Sequence, residues 1–303
     1  MPHPPAPIRM DVTAAGLVVD ETALAARLAV LPVGAPVVVM IHGYRFAPGM
    51  KGHCPHTHIL SMNPPAGDRK AISWPRHLGL DGDQGLAIAL GWAARGSVQG
   101  AYRRAREAGR ALADLAEIIH RLAPGRQMDV IGHSLGARVA LQALHFVEPG
   151  RLRRLILLAA AETRRPARAA VATPAGRSVQ VINVTTREND LFDFVVEWLV
   201  GCGLDTAIGQ GTGTPLPNWL DLQIDQPGTL AALAHLGHAL PSPPARICHW
   251  SPYLRPGIFA LYRGLIVGDL PLATLRAALP TKRDRRWSRL VWPAASQPVV
   301  GTA

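Results

Sequence analysis

The sequence predicts an α/β protein whose core is a mostly parallel, doubly wound β-sheet flanked by helices. The run 37–41 is continuously apolar, and the run 128–131 is apolar except for Asp129. Each leads into a glycine-containing turn, as is typical of buried parallel strands. Further apolar runs alternate with segments of helical spacing, which indicates strands joined by helical crossovers. The 303 residues are enough for one large domain with a full core, so we expect 1–303 to form a single domain.

Composition and charge narrow the class of protein. Hydrophobic residues make up 48% of the chain and the formal net charge is +11, with the arginines scattered over several segments. Because no aromatic patch is interleaved with them, we expect a solvated basic surface and no nucleic-acid binding. Three widely spaced cysteines, Cys54, Cys202 and Cys248, argue against a disulfide framework and fit a reducing compartment.

Targeting and membrane signals are absent from the sequence pattern. No window approaches the roughly 20 apolar residues of a membrane span, and the N-terminal residues contain no apolar stretch of the length that a signal peptide needs. We therefore expect a cytoplasmic protein without stable membrane insertion. The sequence leaves the oligomeric state open.

The N-terminal third begins with proline-rich residues 1–9, which we expect to be frayed. Residues 16–20 predict a short edge strand and 21–31 a helix, followed by the buried strand Val37–Ile41. Residues 43–70 form a long connection rich in Gly, Pro and His. Long loops inside a compact domain are usually functional, so we expect this one to behave as a loop- or lid-like insertion over the site.

A cluster of metal-ligand residue types lies in that connection: His53, Cys54, His56 and His58. Such close spacing suits a transition metal, but no second cluster supplies a fourth ligand in a recognisable pattern. We therefore expect no metal site here, and histidines that are hydrogen-bonded to the backbone instead.

The middle of the chain continues the alternation. Residues 71–74 predict the next strand, 85–92 form a short apolar segment and 99–122 predict a long amphipathic helix that ends at Pro124-Gly125. The apolar residues expected to face the sheet recur at helical spacing: Leu112, Leu115, Ala116, Ile119 and Leu122.

The C-terminal half predicts two more strands, 155–160 and 179–184, joined by an Arg- and Ala-rich crossover. Residues 199–246 form the second loop- or lid-like insertion, in which 219–224 predict a strand or a lid piece and 230–240 a short helix. The helix Ile258–Val267 follows, and we expect 281–303 to be a solvated basic tail.

The strongest motif is Gly132-His133-Ser134-Leu135-Gly136, which lies between an apolar strand and a helical pattern. Strand, tight turn and helix are the context of a Gly-x-Ser-x-Gly nucleophile elbow, whose serine projects above the sheet. The two glycines fit because a Cβ at either position would crowd the close approach of strand and helix. The backbone N–H of Leu135, at the start of the helix, can point at a developing oxyanion.

A second motif, VVVMIHGY at 37–44, precedes the elbow in the chain. With both motifs in this order, the sequence resembles the α/β-hydrolase superfamily of serine esterases and lipases over roughly 37–268. In that family a His-Gly after the third strand supplies the second oxyanion donor. The resemblance implies an α/β-hydrolase fold and assigns that donor to the backbone N–H of Tyr44, with Arg45 as the alternative.

The resemblance also implies that an acid and then a histidine follow the nucleophile along the chain. Among the acids of 186–193, TRENDLFD, we expect Asp190 to hold the histidine because it falls just past a strand end. Glu188, Asp193 and, after the preceding strand, Glu162 are the alternatives, and Asn189 or Asp190 can also cap the following helix.

The expected histidine is His249. After the acid only His235, His238 and His249 remain, and the first two lie in a Leu/Ala helical pattern. His249 lies between a proline-rich break and the last predicted long helix, where family members carry the base. We expect His133, inside the elbow, to shape the elbow rather than to act as the base.

The expected activity is therefore hydrolysis of a small-molecule carboxylic ester through an acyl-enzyme, with Ser134, His249 and Asp190 as the triad. No metal and no organic cofactor is implied. A thioesterase, amidase or lipase would use the same triad, and a ligand-binding protein that keeps the fold without catalysis is the alternative outside enzymes.

Overall fold

The computed structural model describes residues 6–80 and 84–290. The strands in this part of the chain are β1 (Ile8–Thr13), β2 (Gly16–Val18), β3 (Val37–Ile41), β4 (Leu86–Gly91), β5 (Met128–His133), β6 (Leu152–Leu158), β7 (Gln180–Thr185) and β8 (Trp219–Gln223). They form one sheet in the order β2-β1-β4-β3-β5-β6-β7-β8. Every neighbouring pair is parallel except β1 and the edge strand β2.

The helices cover both faces of this sheet. They are α1 (Glu21–Ala29), α2 (Trp74–His77), α3 (Val98–Leu122), α4 (Leu135–Ala143), α5 (Arg164–Ala172), α6 (Pro174–Ser178), α7 (Asp190–Leu199), α8 (Pro227–His235), α9 (Ser251–Leu254), α10 (Ile258–Val267) and α11 (Leu272–Ala278). A mostly parallel eight-stranded sheet between helical layers is the α/β-hydrolase fold, so the predicted fold class is confirmed.

Strand β3 shows why a central strand of this sheet can be continuously apolar. Val37, Val39 and Ile41 belong to the hydrophobic cluster under α1, α3 and α4. Val38 and Met40 belong to the cluster on the other face, which α10 and α11 cover. Because side chains alternate between two buried faces, every position of the strand must be apolar.

The prediction of a strand at 71–74 is wrong. Residues 71–73 form no strand, and α2 begins at Trp74 with Ser73 as its N-cap, whose Oγ accepts from Arg76 N at 3.3 Å. Pro75 stands in the first turn, where its missing N–H costs nothing. The strand that follows β3 is β4, which lies in the apolar segment 85–92.

Both ends of the described chain are more ordered than the sequence pattern predicts. Residues 1–5 of the segment expected to be frayed lie outside the described residues, but Ile8 and Arg9 begin β1 and pair with β4. At the C-terminus, Arg283 forms an ion pair with Asp221 at 2.8 Å and Arg286 one with Glu197 at 2.8 Å. Arg283 and Arg286 therefore anchor the segment 281–290, of which six of the ten residues are nevertheless exposed. Residues 291–303 lie outside the described residues.

The range 199–246, expected to be lid-like, also contributes to the core of the fold. Strand β8 pairs in parallel with β7 over five residues, and α8 follows it. Only part of this range is loop. No helix within the described residues combines the length and hydropathy needed to cross a bilayer.

Candidate active site

Ser134 occupies a strained turn between β5 and α4, with φ 56° and ψ −118°. The turn is possible because the flanking backbone is very close. A Cβ on Gly132 would lie 2.5 Å from the carbonyl oxygen of Gly136, and a Cβ on Gly136 would lie 2.5 Å from that of Ile41. Gly43 meets the turn from the other side, since its Cβ would lie 2.9 Å from Cβ of Ser134. Close packing, rather than positive φ, requires glycine at these three positions.

His42, which precedes Gly43, fixes the loop after β3. Its Nδ1 donates to the carbonyl oxygen of Gly43 at 2.9 Å, and its Nε2 accepts from the backbone N–H of Trp92 at 3.1 Å. Burial lowers the pKa of His42 to about 3. The ring is therefore a neutral structural element that holds the loop against β4.

The two residues after Gly43 differ in where their backbone N–H groups point. Arg45, at φ 81°, donates its backbone N–H to the carbonyl oxygen of Ala94 at 2.8 Å. The N–H of Tyr44 has no acceptor among the described residues, and neither has that of Leu135 in the first turn of α4. Tyr44, Arg45 and Leu135 all line the same cavity as Ser134, and of the three only Arg45 has its backbone N–H engaged by another described residue.

That cavity has a volume of about 530 Å³ and opens above the carboxyl ends of the central strands. Ser134 and His249 both line it. The loop 43–70 contributes to its wall as expected, whereas 199–246 contributes Val200 alone. The apolar part of the wall comes mainly from α4 and α7 and the turn after β6: Leu135, Ala159, Ala160, Phe192, Val195 and Val196.

His249 is held from three sides in a loop before α9. Its Nδ1 lies 2.6 Å from Oδ1 of Asn189, so Nδ1 carries the proton. Its ring stacks on Phe192 with centroids 4.6 Å apart, and its carbonyl oxygen accepts from Nε2 of His133 at 3.0 Å. Burial, and then the positive potential of His133 and Lys70, hold the pKa of His249 well below its usual value.

This arrangement leaves Nε2 of a neutral His249 unprotonated, as a general base requires. Among the described residues no hydrogen bond yet joins Ser134 Oγ to His249. Catalytic hydrogen bonds commonly tighten only when substrate binds, so the shared cavity wall is the relevant geometry.

The structure does not bring Asp190 to His249. The carboxylate of Asp190 accepts from Nε2 of Gln210 at 2.9 Å and from the backbone N–H of Trp287 at 2.6 Å, and it pairs with Arg187 at 3.1 Å. Asp190 is the first residue of α7, and its side chain points toward the C-terminal residues 283–287 instead of toward the cavity. Asn189, one residue earlier, occupies the place beside His249.

The alternative acids are also committed elsewhere. Oε2 of Glu188 accepts from Ser251 Oγ at 2.6 Å and from Arg255 at 2.7 Å. Glu162 is enclosed by Arg138 and Tyr102, with Oε1 2.5 Å from the tyrosine hydroxyl. Within the described residues, no carboxylate therefore contacts His249 directly.

Asp193 reaches the histidine indirectly. Its Oδ1 accepts from Nδ2 of Asn189 at 2.8 Å, and Asn189 in turn contacts His249. From its sequence context Asn189 is expected only to cap the following helix, and its contact with His249 is not predicted. The signal available in the sequence was the spacing of Asn189 and Asp193, four residues apart at a helix start and hence on one face.

The other two histidines lie outside the cavity wall. His235 sits at the end of α8, where its Nδ1 donates to the carbonyl oxygen of Ala231 at 2.9 Å. His238 packs beside Gly264 of α10, whose Cβ would lie 3.2 Å from its ring.

Two histidines of the loop 43–70 contact carboxylates rather than backbone groups. His56 pairs with Asp11 at 2.6 Å and His58 with Asp68 at 2.9 Å. The hydrogen bond from His58 lowers the pKa of Asp68. In the described part of the chain, no group of three or more His, Cys, Asp or Glu side chains has a metal-binding arrangement. The expectation that these histidines bond to the backbone needs this correction.

Among solved structures, a bacterial lipase has a weak similarity to this chain. The crystal structure of the mature lipase BlEst2 from Bacillus licheniformis is similar with a TM-score of 0.38 and 11% sequence identity, over 64% of this chain and 84% of the lipase. No protein-family model and no curated protein sequence matches the chain.

Proposed function

We propose that this protein is a serine hydrolase that cleaves a small-molecule carboxylic ester through an acyl-enzyme intermediate. The observation that carries the proposal is the joint position of two side chains. Ser134 on its strained elbow and a neutral His249 with a protonated Nδ1 line one cavity. A serine needs such a base, because its hydroxyl is a poor nucleophile at neutral pH.

In the acylation step, Ser134 Oγ attacks the ester carbonyl while Nε2 of His249 takes its proton. The backbone N–H groups of Tyr44 and Leu135 stabilise the oxyanion, at about 3–4 kcal/mol for each donor. The protonated His249 then gives its proton to the leaving alcohol. In the second step His249 activates a water molecule, which releases the acid and restores Ser134.

The third member of the triad is Asn189, in place of the predicted Asp190. Its Oδ1 fixes the Nδ1–H tautomer of His249, as the asparagine of Cys-His-Asn proteases does. Asp190 supports the start of α7 through Arg187 and Trp287 instead. The apolar wall formed by Leu135, Ala160 and Val196 suits an apolar acyl or alcohol group.

A fluorophosphonate probe tests the nucleophile directly. It should label the wild-type protein and not Ser134→Ala, whose folding is checked by circular dichroism. A series of p-nitrophenyl esters of increasing chain length then measures kcat/KM and locates the optimal acyl length. Equal labelling of both proteins, or no ester hydrolysis above the Ser134→Ala background, contradicts the proposal.

A further inference from the structure

A continuous chain of hydrogen bonds runs from the cavity into the protein behind it. Nδ1 of His249 lies 2.6 Å from Oδ1 of Asn189, and Nδ2 of Asn189 lies 2.8 Å from Oδ1 of Asp193. Asp193 is 2% exposed, one turn along α7 from Asn189. A buried carboxylate thus reaches the histidine through one amide.

The second oxygen of this carboxylate is unusual. Oδ2 of Asp193 is buried and has no hydrogen-bond partner among the described residues. It lies against Gly209, where a Cβ would come within 1.9 Å of it. Leaving a buried carboxylate oxygen unpaired is costly, and such groups concentrate at functional sites.

We propose that Asp193 is a positioning residue that sets the tautomer of His249 through the orientation of the Asn189 amide, so that hydrolysis requires Asp193 to be ionised. This inference rests on the proposed function of the same site. It assigns a role to a group that the Ser134–His249–Asn189 triad does not itself use.

The two protonation states of Asp193 favour opposite hydrogen-bond directions. An ionised carboxylate only accepts, so Asn189 must turn its NH₂ to Asp193 and its carbonyl to His249. Nδ1 of His249 then carries the proton, and Nε2 is free to accept the proton of Ser134. This is the arrangement observed.

Protonation of Asp193 at Oδ1 reverses the direction of the hydrogen bonds from Asp193 through Asn189 to His249. The acid then donates to the carbonyl of Asn189, whose NH₂ turns to Nδ1 of His249. The imidazole exchanges its Nδ1 proton for one on Nε2 through solvent, and the net gain is one proton, on Asp193. His249 in this tautomer cannot take the proton of Ser134, so the enzyme is inactive.

The charges around Asp193 place this change near neutral pH. Burial raises the pKa of Asp193 to about 7. The neighbouring carboxylates Asp190 and Glu197 of α7 also raise it, whereas Arg187 before α7 and Arg286 of the C-terminal residues lower it. The pKa of His249 is held well below its usual value, so the ring stays neutral near pH 7. Of the two groups, Asp193 is therefore the one that titrates in this range.

The first test measures kcat/KM for p-nitrophenyl butyrate across about two pH units on either side of neutrality. We expect the wild-type rate to rise with pH through about 7 and Asp193→Asn to lose both the rise and about 100-fold in rate at the plateau. Such a loss is smaller than the roughly 10⁴-fold of a directly contacting partner. An Asp193→Asn protein with the same rise and a rate within threefold of the wild type overturns the inference.

Glu197→Gln on the same helix is the matched control. Oε1 of Glu197 accepts from the backbone N–H of Ala207 and from Arg286, and the side chain takes no part in the chain to His249. Its removal takes away a negative neighbour of Asp193 and should move the rise to lower pH with the plateau kept. An unmoved rise contradicts the assignment of that rise to Asp193.

A second measurement needs neither activity nor a variant that folds. The ¹⁵N chemical shifts of a wild-type protein labelled in histidine report which ring nitrogen of His249 carries the proton. We expect Nδ1–H one unit above about pH 7 and Nε2–H one unit below it, with the ring neutral throughout. One tautomer over the whole range overturns the inference, even in a fully active esterase. If the fluorophosphonate fails to label Ser134 but the tautomer still switches, the proposed function alone fails.

Discussion

The buried carboxylate of Asp193 makes the stability of the protein depend on pH in a direction that can be calculated. Its pKa is about 7 in the folded chain, against an ordinary value of 3.8. Because the folded-state pKa is the higher one, the folded protein keeps a proton that the unfolded chain loses, and the free energy of unfolding falls as pH rises from about 4 to about 7. About three pKa units at about 1.36 kcal/mol each correspond to a loss on the order of 4 kcal/mol.

Asp193→Asn removes this dependence, because a side-chain amide has no proton to lose in this pH range. Urea unfolding of the two proteins at a series of pH values gives their difference in unfolding free energy. Changes common to both proteins cancel. We expect the unfolding free energy of the variant, relative to that of the wild type, to rise by a few kcal/mol as the pH increases from about 4 to about 8. Asp114→Asn, at an exposed carboxylate of α3, is the control and should show no such trend.

A difference between Asp193→Asn and the wild type that stays within about 1 kcal/mol over that range refutes the predicted pH dependence. In that case Asp193 is not a desolvated acid in the folded protein. If the trend is present, the charge that the active site needs costs stability at the pH where the enzyme works, as is common at functional sites.

Three further predictions test other parts of the site. Gly136→Ala should destabilise the protein by roughly 2–4 kcal/mol in urea unfolding and abolish probe labelling, because the added Cβ meets the carbonyl oxygen of Ile41. Gly67→Ala is the control and should have neither effect, because a Cβ on Gly67 has open space around it. His249→Ala should abolish ester hydrolysis, whereas His235→Ala should retain it, and the reverse result removes His249 as the base. A chelator should leave the melting temperature unchanged; a large drop that zinc restores would reveal a structural metal.

The elbow and the sheet could be predicted from the sequence because their causes are local. Ser134 lies between glycines that the close approach of β5 and α4 requires. The neighbouring strand β3 is an unbroken apolar run, and β6 contains one at 155–158. The choice between Tyr44 and Arg45 could not be predicted. It depends on a hydrogen bond from the backbone N–H of Arg45 to the carbonyl oxygen of Ala94, which lies in the loop after the neighbouring strand β4.

The partner of His249 depends on contacts that are distant in the sequence. Asp190 lies just past β7, where the resemblance to serine esterases implies the acid, but Gln210 and the backbone of Trp287 engage its carboxylate. The sequence pattern predicts solvated basic residues near Trp287, because Asp221 and Glu197, which bind Arg283 and Arg286, lie more than 60 residues away. The carboxylate of Asp190 accepts from the backbone N–H of Trp287 in this segment, and Asn189 lies beside His249.

The central claim is that Asn189, and not Asp190, orients His249 for catalysis by Ser134. The most direct measurement compares kcat/KM for p-nitrophenyl butyrate in Asn189→Ala and Asp190→Asn, both shown to be folded by circular dichroism. We expect Asn189→Ala to lose about 10³- to 10⁴-fold and Asp190→Asn to stay within about tenfold of the wild type. A large loss in Asp190→Asn with little change in Asn189→Ala would contradict the claim.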